Sequence, residues 1–259
     1  MEHTLEILVA TMHQTDFSKI EDMNIRCDAV FANQADRNGY DELEFDGHKA
    51  RMVTTDQRGV GRNRNLALLY ASADYVLFAD DDMRYANDCV HQVVRAFEEL
   101  PEADVIVFDV EFAGGVKNGH GTGPLPFRKS GKYGTYQIAA RRESLIKANV
   151  WFHQMFGGGC PHSSGEDSLF LRDCYEKSLR VYTHSYVIGQ NREGASTWFR
   201  GYNEKYFIDK GCWLSLALPR TCRLAAPVLA WKWRRLNPDL GVGKLTRLMW
   251  RGMTEFRRR

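Results

Sequence analysis

Five short apolar runs divide the first 110 residues, and stretches with helical spacing lie between several of them. The runs are residues 5–10 (LEILVA), 27–32 (CDAVFA), 51–54 (RMVT), 75–79 (YVLFA) and 105–110 (VIVFDV). Strands alternating with helices predict crossover units, and hence an α/β chain with an open, mostly parallel sheet flanked by helices. Ligands of such sheets sit beyond the carboxyl ends of the strands. Residues 61–72 are expected to be a helix with Leu66, Leu69 and Tyr70 on one side. A second is expected over 87–100, with Val90, Val93, Val94 and Phe97 inward and Pro101 ending it. Strand and helix resume over 136–140 and 142–148, and residues 168–177 read as helical. Six glycines and two prolines between positions 114 and 132 predict a long surface loop, which, like residues 191–197, could close over a substrate.

The chain has 259 residues, of which 44% are hydrophobic and 26% charged, enough for one sizeable core. Its net charge of +2 excludes a polyanion-wrapping protein and a disordered acidic one. The mean conceals an imbalance: residues 213–259 carry 11 basic and two acidic side chains, leaving 24 basic and 31 acidic before them. Six cysteines without a CxxC pair fit reduced thiols in a cytosolic chain. The first residues lack a basic stretch followed by a long apolar one, so no signal peptide is expected, and no run approaches the roughly 18–20 apolar residues of a membrane span.

Asp80, Asp81 and Asp82 follow an apolar strand directly, where three carboxylates repel one another unless a cation is present. Mg²⁺ and Mn²⁺ are held by one or two such carboxylates together with substrate phosphates, although aspartate is equally at home in a solvated turn or helix cap. Upstream, Arg58-Gly59-Val60-Gly61-Arg62-Asn63-Arg64-Asn65 combines glycines that admit a ligand close to the backbone with forked donors for phosphate, on the start of a helix. The alternative is an exposed basic turn. Glu166-Asp167 opens another helix from a polar, glycine-flanked turn, as either a cap or a general base.

In this order, these pieces resemble the family 2 glycosyltransferases with the GT-A (Rossmann-like) fold, particularly bacterial enzymes of exopolysaccharide and capsule assembly. The matching residues are Val9-Ala10-Thr11-Met12, Asn33-Gln34, the Arg58–Asn65 stretch, Phe78-Ala79-Asp80-Asp81-Asp82-Met83 and Gly165-Glu166-Asp167-Ser168-Leu169-Phe170, with Ser196-Thr197-Trp198-Phe199 and Gly201-Tyr202 further on. The resemblance spans roughly residues 5–211. It implies a catalytic domain over 1–212 in which Asp80, Asp81, Thr11, Gln34, Arg58, Arg64 and Asn65 bind the donor nucleotide. Asp82 would ligate Mn²⁺ or Mg²⁺, with His184 a further ligand or a structural histidine. Asp167, with Glu166 beside it, would be the base, and His162 and Trp198 are acceptor-side candidates or packing residues. The implied reaction is metal-dependent and inverting, from a UDP- or dTDP-sugar to a hydroxyl of a lipid-linked saccharide. The first strand lacks the proline and tyrosine common in the family, so the base is not specified.

Residues 213–259 read as a basic amphipathic helical tail. Within it Leu245, Leu248, Met249, Met253 and Phe256 share a stripe among arginines, and Trp231, Trp233 and Trp250 add interfacial aromatics. The favoured partner is an anionic membrane surface; docking on the catalytic domain or on a second subunit is the alternative. Nucleic acid is not expected, because no recognition motif accompanies the charge. The resulting expectation is a glycosyltransferase at the cytoplasmic face of the cell membrane. A sugar nucleotidyltransferase or a catalytically inactive, membrane-bound assembly subunit are the alternatives.

Overall fold

The computed structural model describes residues 3–112, 114–117, 121–192 and 201–257. The first half comprises β1 (Leu5–Met12), α1 (Lys19–Met23), β2 (Asp28–Gln34), β3 (Gly39–Phe45), β4 (His48–Thr55), α2 (Val60–Tyr70), β5 (Tyr75–Asp80), β6 (Met83–Tyr85) and α3 (Cys89–Glu99). There follow β7 (Val105–Phe112), β8 (Gly115–Lys117), β9 (Gly123–Pro124), α4 (Phe127–Ser130), β10 (Ile138–Arg141), α5 (Arg142–Lys147), α6 (Glu166–Glu176) and β11 (Val181–Asn191). Three helices close the chain: α7 (Glu204–Ala217), α8 (Cys222–Trp233) and α9 (Val242–Arg257).

The sheet runs β3-β4-β2-β1-β5-β10-β7-β11-β6. β4, β2, β1 and β5 are parallel, while β10 enters antiparallel between β5 and β7, and β11 is parallel to β7. Alternate residues of the central strands supply different faces: Ile7, Val9, Phe31 and Leu77 join one core, and Leu8, Val30, Val76 and Phe78 the other. Burial on both faces explains why these strands read as unbroken apolar runs. β3, by contrast, is an edge strand of mostly exposed residues, GYDELEF, with no apolar run to mark it. The expected loop over 114–132 is not free of structure, since it carries β8, β9 and α4.

Helix α2 departs from the expected orientation. Leu69 is 65% exposed and Tyr70 is also exposed, whereas Asn63, Arg64, Asn65, Ala67 and Leu68 are buried. The polar face turns inward because the strand ends and the neighbouring loop supply its partners. Asn63 Nδ2 donates to the carbonyls of Thr11 (3.2 Å) and Ala32 (2.7 Å), lashing β1 to β2. Asn65 exchanges two bonds with the main chain of Phe152, 2.9 and 2.8 Å. Gly61 lets the helix approach that loop, since a Cβ there would lie 2.7 Å from the His153 carbonyl oxygen.

The last three helices form a third layer, and the expected domain boundary at 212/213 falls inside α7. The apolar stripe of α9 does not face solvent: Leu245, Leu248, Met249 and Met253 are buried in a cluster shared with α7 and α8. A Cβ on Gly211 would lie 2.0 Å from the Met249 carbonyl oxygen, and one on Gly252 2.0 Å from that of Ile208. The α7 and α9 backbones therefore touch.

Candidate functional site

Strand register sets the first wall. Thr11 pairs with Asn33, Met12 with Gln34 and Ala10 with Asp80, so the carboxyl ends of β1, β2 and β5 form one rim. A cleft of about 380 Å³ opens there, lined among others by Thr11, Gln34, Asn63, Arg64, Asp80 and Asp81 on the sheet side and by Glu166 and Asp167 opposite. Gln34 Oε1 accepts from the Gly59 amide (2.8 Å), and the Val60 amide donates to the Gly158 carbonyl (2.9 Å). Two amides at the start of α2 are thus already engaged.

Arg64 is the centre of the site. Its guanidinium, 5% exposed, donates through Nη2 to Asp80 Oδ1 (2.8 Å) and through Nη1 to Glu166 Oε1 (3.2 Å) and Asp167 Oδ1 (3.3 Å). Burial alone would lower its basicity, but the three carboxylates outweigh this and raise it. The Arg64 Cζ also lies 5.4 Å from the centroid of the Phe152 ring. That ring stacks on Phe170 of α6 (4.2 Å between centroids), and both meet Phe78 of β5 edge-on. This aromatic trio fixes the helix carrying Asp167 against the strand carrying Asp80.

α6 begins at Gly165, whose φ of +119° favours glycine. A Cβ there would also meet Trp213 Cδ1 at 2.5 Å, and the Trp213 indole donates to Ser168 Oγ (2.9 Å). Asp167 additionally accepts from Thr135 Oγ1. Burial foremost, then the neighbouring Glu166 charge, push its carboxyl up to about 7, against the opposing pull of Arg64 and Thr135. A carboxylate poised near neutrality beside a cleft has the properties of a general base. Lys210 of α7 donates to Ser164 Oγ (3.1 Å) and lies over the rings of Tyr206 and Trp213; burial lowers its basicity.

The acidic triplet divides by neighbour. Asp80 faces Arg64, and Asp81 accepts from Thr11 Oγ1 (2.5 Å). The Asp82 residue is open to solvent on one side, yet its carboxyl is held above the ordinary range by partial burial and then by the Asp80 and Asp81 charges, with Asn191 as its hydrogen-bonding side chain. Such a carboxylate, crowded by anions and with no salt-bridge partner among the described residues, fits a hard dication, which would relieve the repulsion. Among the described residues no three His, Cys, Asp or Glu side chains could enclose an ion alone.

Other expected site residues lie elsewhere. Arg58 is committed to the Ala35 carbonyl (3.1 Å) and to Asp36, and Asn65 to Phe152, so neither lines the cleft. His184 is not brought to the acidic triplet: it faces Glu99 (3.5 Å) and Phe108, seven residues along β11 from Asn191, or about 20 Å at the rise of a strand. His162 Nδ1 pairs with Asp209 (3.0 Å), and its ring packs on Phe156 and Phe256 beside the cleft rather than in it. Trp198 lies outside the described residues. Asn63 was legible in the motif but not singled out, and Thr135, Lys210 and Trp213 carried no sequence signal.

Residues 35–157 match the family model "Glycosyl transferase family 2". Among solved structures, S. aureus TarS 1–349 in complex with UDP-GlcNAc superposes with a TM-score of 0.63 at 16% identity, over 90% of this chain and 74% of that one. A longer S. aureus TarS structure gives 0.61 at 13% identity over 92% of this chain, which spans only 45% of it. The mannosyltransferase PcManGT from Pyrobaculum calidifontis, in complex with GDP-Man and Mn²⁺, gives 0.53 at 14% identity, over 98% of this chain and 75% of that one. At such identities these likenesses show the fold. No curated protein matches the chain by sequence.

Proposed function

We propose that this chain, which matches the family 2 glycosyltransferase model over residues 35–157 and shares the GT-A fold of solved glycosyltransferases, is a metal-dependent, inverting glycosyltransferase with Asp167 as its base. The observation that carries this reading is the place of Asp167 in a cleft that Asp80 and Asp81 also line, where burial foremost raises its carboxyl to about 7. The donor is a nucleoside diphosphate sugar with its nucleotide against Thr11, Gln34 and Asn63. The acceptor is a saccharide hydroxyl, proposed to belong to a lipid-linked chain of bacterial surface polysaccharide. A second cavity of about 350 Å³, lined in part by Lys205, Tyr206 and Asp209, shares Gly158 and Ser163 with the cleft and gives the acceptor a path to the base.

In the proposed reaction Asp167 takes the hydroxyl proton as that oxygen bonds to the anomeric carbon from the face opposite the diphosphate. The bond to the diphosphate breaks, the nucleoside diphosphate leaves with the electron pair, and the anomeric configuration inverts. Asp82 would hold Mn²⁺ or Mg²⁺, which when bound neutralises charge on the leaving diphosphate. Arg64 keeps Asp80, Glu166 and Asp167 together and partly offsets their repulsion. We also propose peripheral attachment of the basic C-terminal region to an anionic membrane surface; no helix among the described residues is long and apolar enough to cross one.

Thermal-shift screening of UDP-, dTDP- and GDP-sugars with and without Mn²⁺ identifies the donor, because a ligand that binds only the folded state raises Tm. Proton NMR of the product then reads its anomeric configuration. Retention of configuration, or undiminished transfer by Asp167→Asn, would overturn the mechanism.

A further inference from the structure

The apolar stripe of α9 is covered by α7 and α8, so whatever meets a membrane must lie elsewhere. The uncovered apolar surface of this region is on α8. Cys222, Ala226 and Ala230 recur every four residues on its inner side and are buried. On its outer side Leu224, Val228 and Trp231 stand at i, i+4 and i+7, 77%, 67% and 61% exposed. That spacing places them in one row along the helix.

Pro227 shares this stretch and explains how a fourth apolar group is fixed there. Lacking an N–H, it leaves the Arg223 carbonyl without its helical donor. The indole of Trp250, on α9, donates to that carbonyl at 3.1 Å and remains 43% exposed. Indoles are therefore anchored at both ends of the row, about 12 Å apart along the helix at 1.5 Å per residue. Around them stand Arg220, Arg223, Lys232 and Arg235, none with a carboxylate partner among the described residues, whereas Lys244 and Arg251 on α9 are paired with Glu204 and Glu255. Arg234 caps the Trp231 ring, 4.3 Å from its centroid.

We infer that the outward face of α8, together with Trp250, is the surface that lies on an anionic lipid bilayer. Leu224, Val228 and Trp231 enter the acyl boundary, and the basic side chains meet the headgroups. The inference rests on the peripheral attachment proposed above and places it on a surface other than the apolar stripe of α9. A row one residue wide is narrow for a stable protein interface. A fluid lipid surface moulds to such a row, and the unpaired cations on its flanks call for an extended anionic partner.

Co-sedimentation of the full chain with phosphatidylcholine vesicles, with and without 30% phosphatidylglycerol, tests this. The wild type is expected to bind the anionic vesicles selectively. Arg223→Gln with Lys232→Gln and Arg235→Gln should weaken partitioning about 100-fold at low salt, taking roughly fivefold per basic side chain. Leu224→Gln with Val228→Gln should weaken it by about tenfold or more, while Leu43→Gln on β3 should not alter it. These side chains are exposed, so circular dichroism should show every variant folded. Binding by the wild type that persists undiminished in the α8 variants would overturn the location while sparing attachment. No binding of the wild type to either vesicle would overturn attachment itself. A wild-type dimer in sedimentation velocity that the α8 variants dissociate would assign the face to a second copy and refute the lipid assignment.

Discussion

Arg64→Met separates the electrostatic role of the central guanidinium from its bulk. The substitution leaves Asp80, Glu166 and Asp167 clustered without the cation between them. Removing one partner of a buried charge network costs about 3–5 kcal/mol, and at roughly 2–4 °C per kcal/mol for a protein of this size Tm should fall by about 6–20 °C near pH 8. The loss should depend on pH with a definite sign. Asp167 already titrates above the ordinary range, at about 7, and Arg64 is one of the groups holding it down. Without Arg64 the folded state holds that proton to still higher pH, while the unfolded chain releases it in the ordinary carboxylate range. The folded state binds more protons across that window, so stability falls as pH rises through it. The first unit of elevation deepens the deficit near pH 8 by about 1 kcal/mol and any further elevation brings the total to at most about 1.4 kcal/mol, while near pH 5, where the folded carboxyl is protonated in both proteins, this part vanishes. Tm of wild type and variant, measured near pH 5 and pH 8 without metal or nucleotide, should differ more at the higher pH, by about 3 °C or more. An equal gap at both values, or a larger one near pH 5, would refute the reasoning.

Four other outcomes are expected. Asp167→Asn should reduce transfer by a factor of about 100 or more, typical for a lost general base, with the donor-induced thermal shift unchanged. In the wild type, kcat/KM should rise about tenfold per unit at acid pH and level off above about 7, as the raised carboxyl of Asp167 loses its proton; a profile flat down to pH 5 would contradict its role. Asp82→Ala should abolish the Mn²⁺-dependent part of the donor's thermal shift, and an undiminished shift would move the ion elsewhere. Gly61→Ala should lower stability by about 1–3 kcal/mol, because its Cβ would press on the His153 carbonyl at 2.7 Å, and urea denaturation measures the loss.

The features legible in the sequence are those that follow from burial. β1, β2 and β5 are covered on both faces, so their apolar runs are unbroken, and the polar residues where the runs stop, Thr11, Gln34 and Asp80, fall on one rim once the strands are parallel. β3 escaped because an exposed edge strand needs no apolar residues. The facing of α2 escaped for the opposite reason. Periodicity assumes that apolar residues turn inward, whereas here amide side chains do so, each replacing solvent with main-chain partners. That difference also exchanged the roles of two asparagines: Asn63 lines the cleft, and Asn65, two positions on, holds a loop. His184 shows what order along a chain omits, since it stands seven residues, or about 20 Å, along β11 from Asn191, the residue that meets the acidic triplet.

The C-terminal helices carry the same lesson further. A stripe of Leu245, Leu248, Met249 and Met253 states only that one side of α9 needs an apolar partner, and a membrane and α7 satisfy that need equally in sequence terms. The glycines decide between them, because Gly211 and Gly252 make room for a neighbouring backbone that a lipid surface does not require. Through that contact α9 supports α7, whose Trp213 packs on Gly165 and bonds to Ser168 in the first turn of the helix that presents Asp167. Residues 244–257 therefore belong to the foundation of the candidate base. Removing them should lower transfer in solution, with no vesicle present, as well as membrane binding, whereas the exposed substitutions on α8 should affect binding alone. A truncated chain with full transfer in solution would show that α7 holds the Asp167 helix without α9.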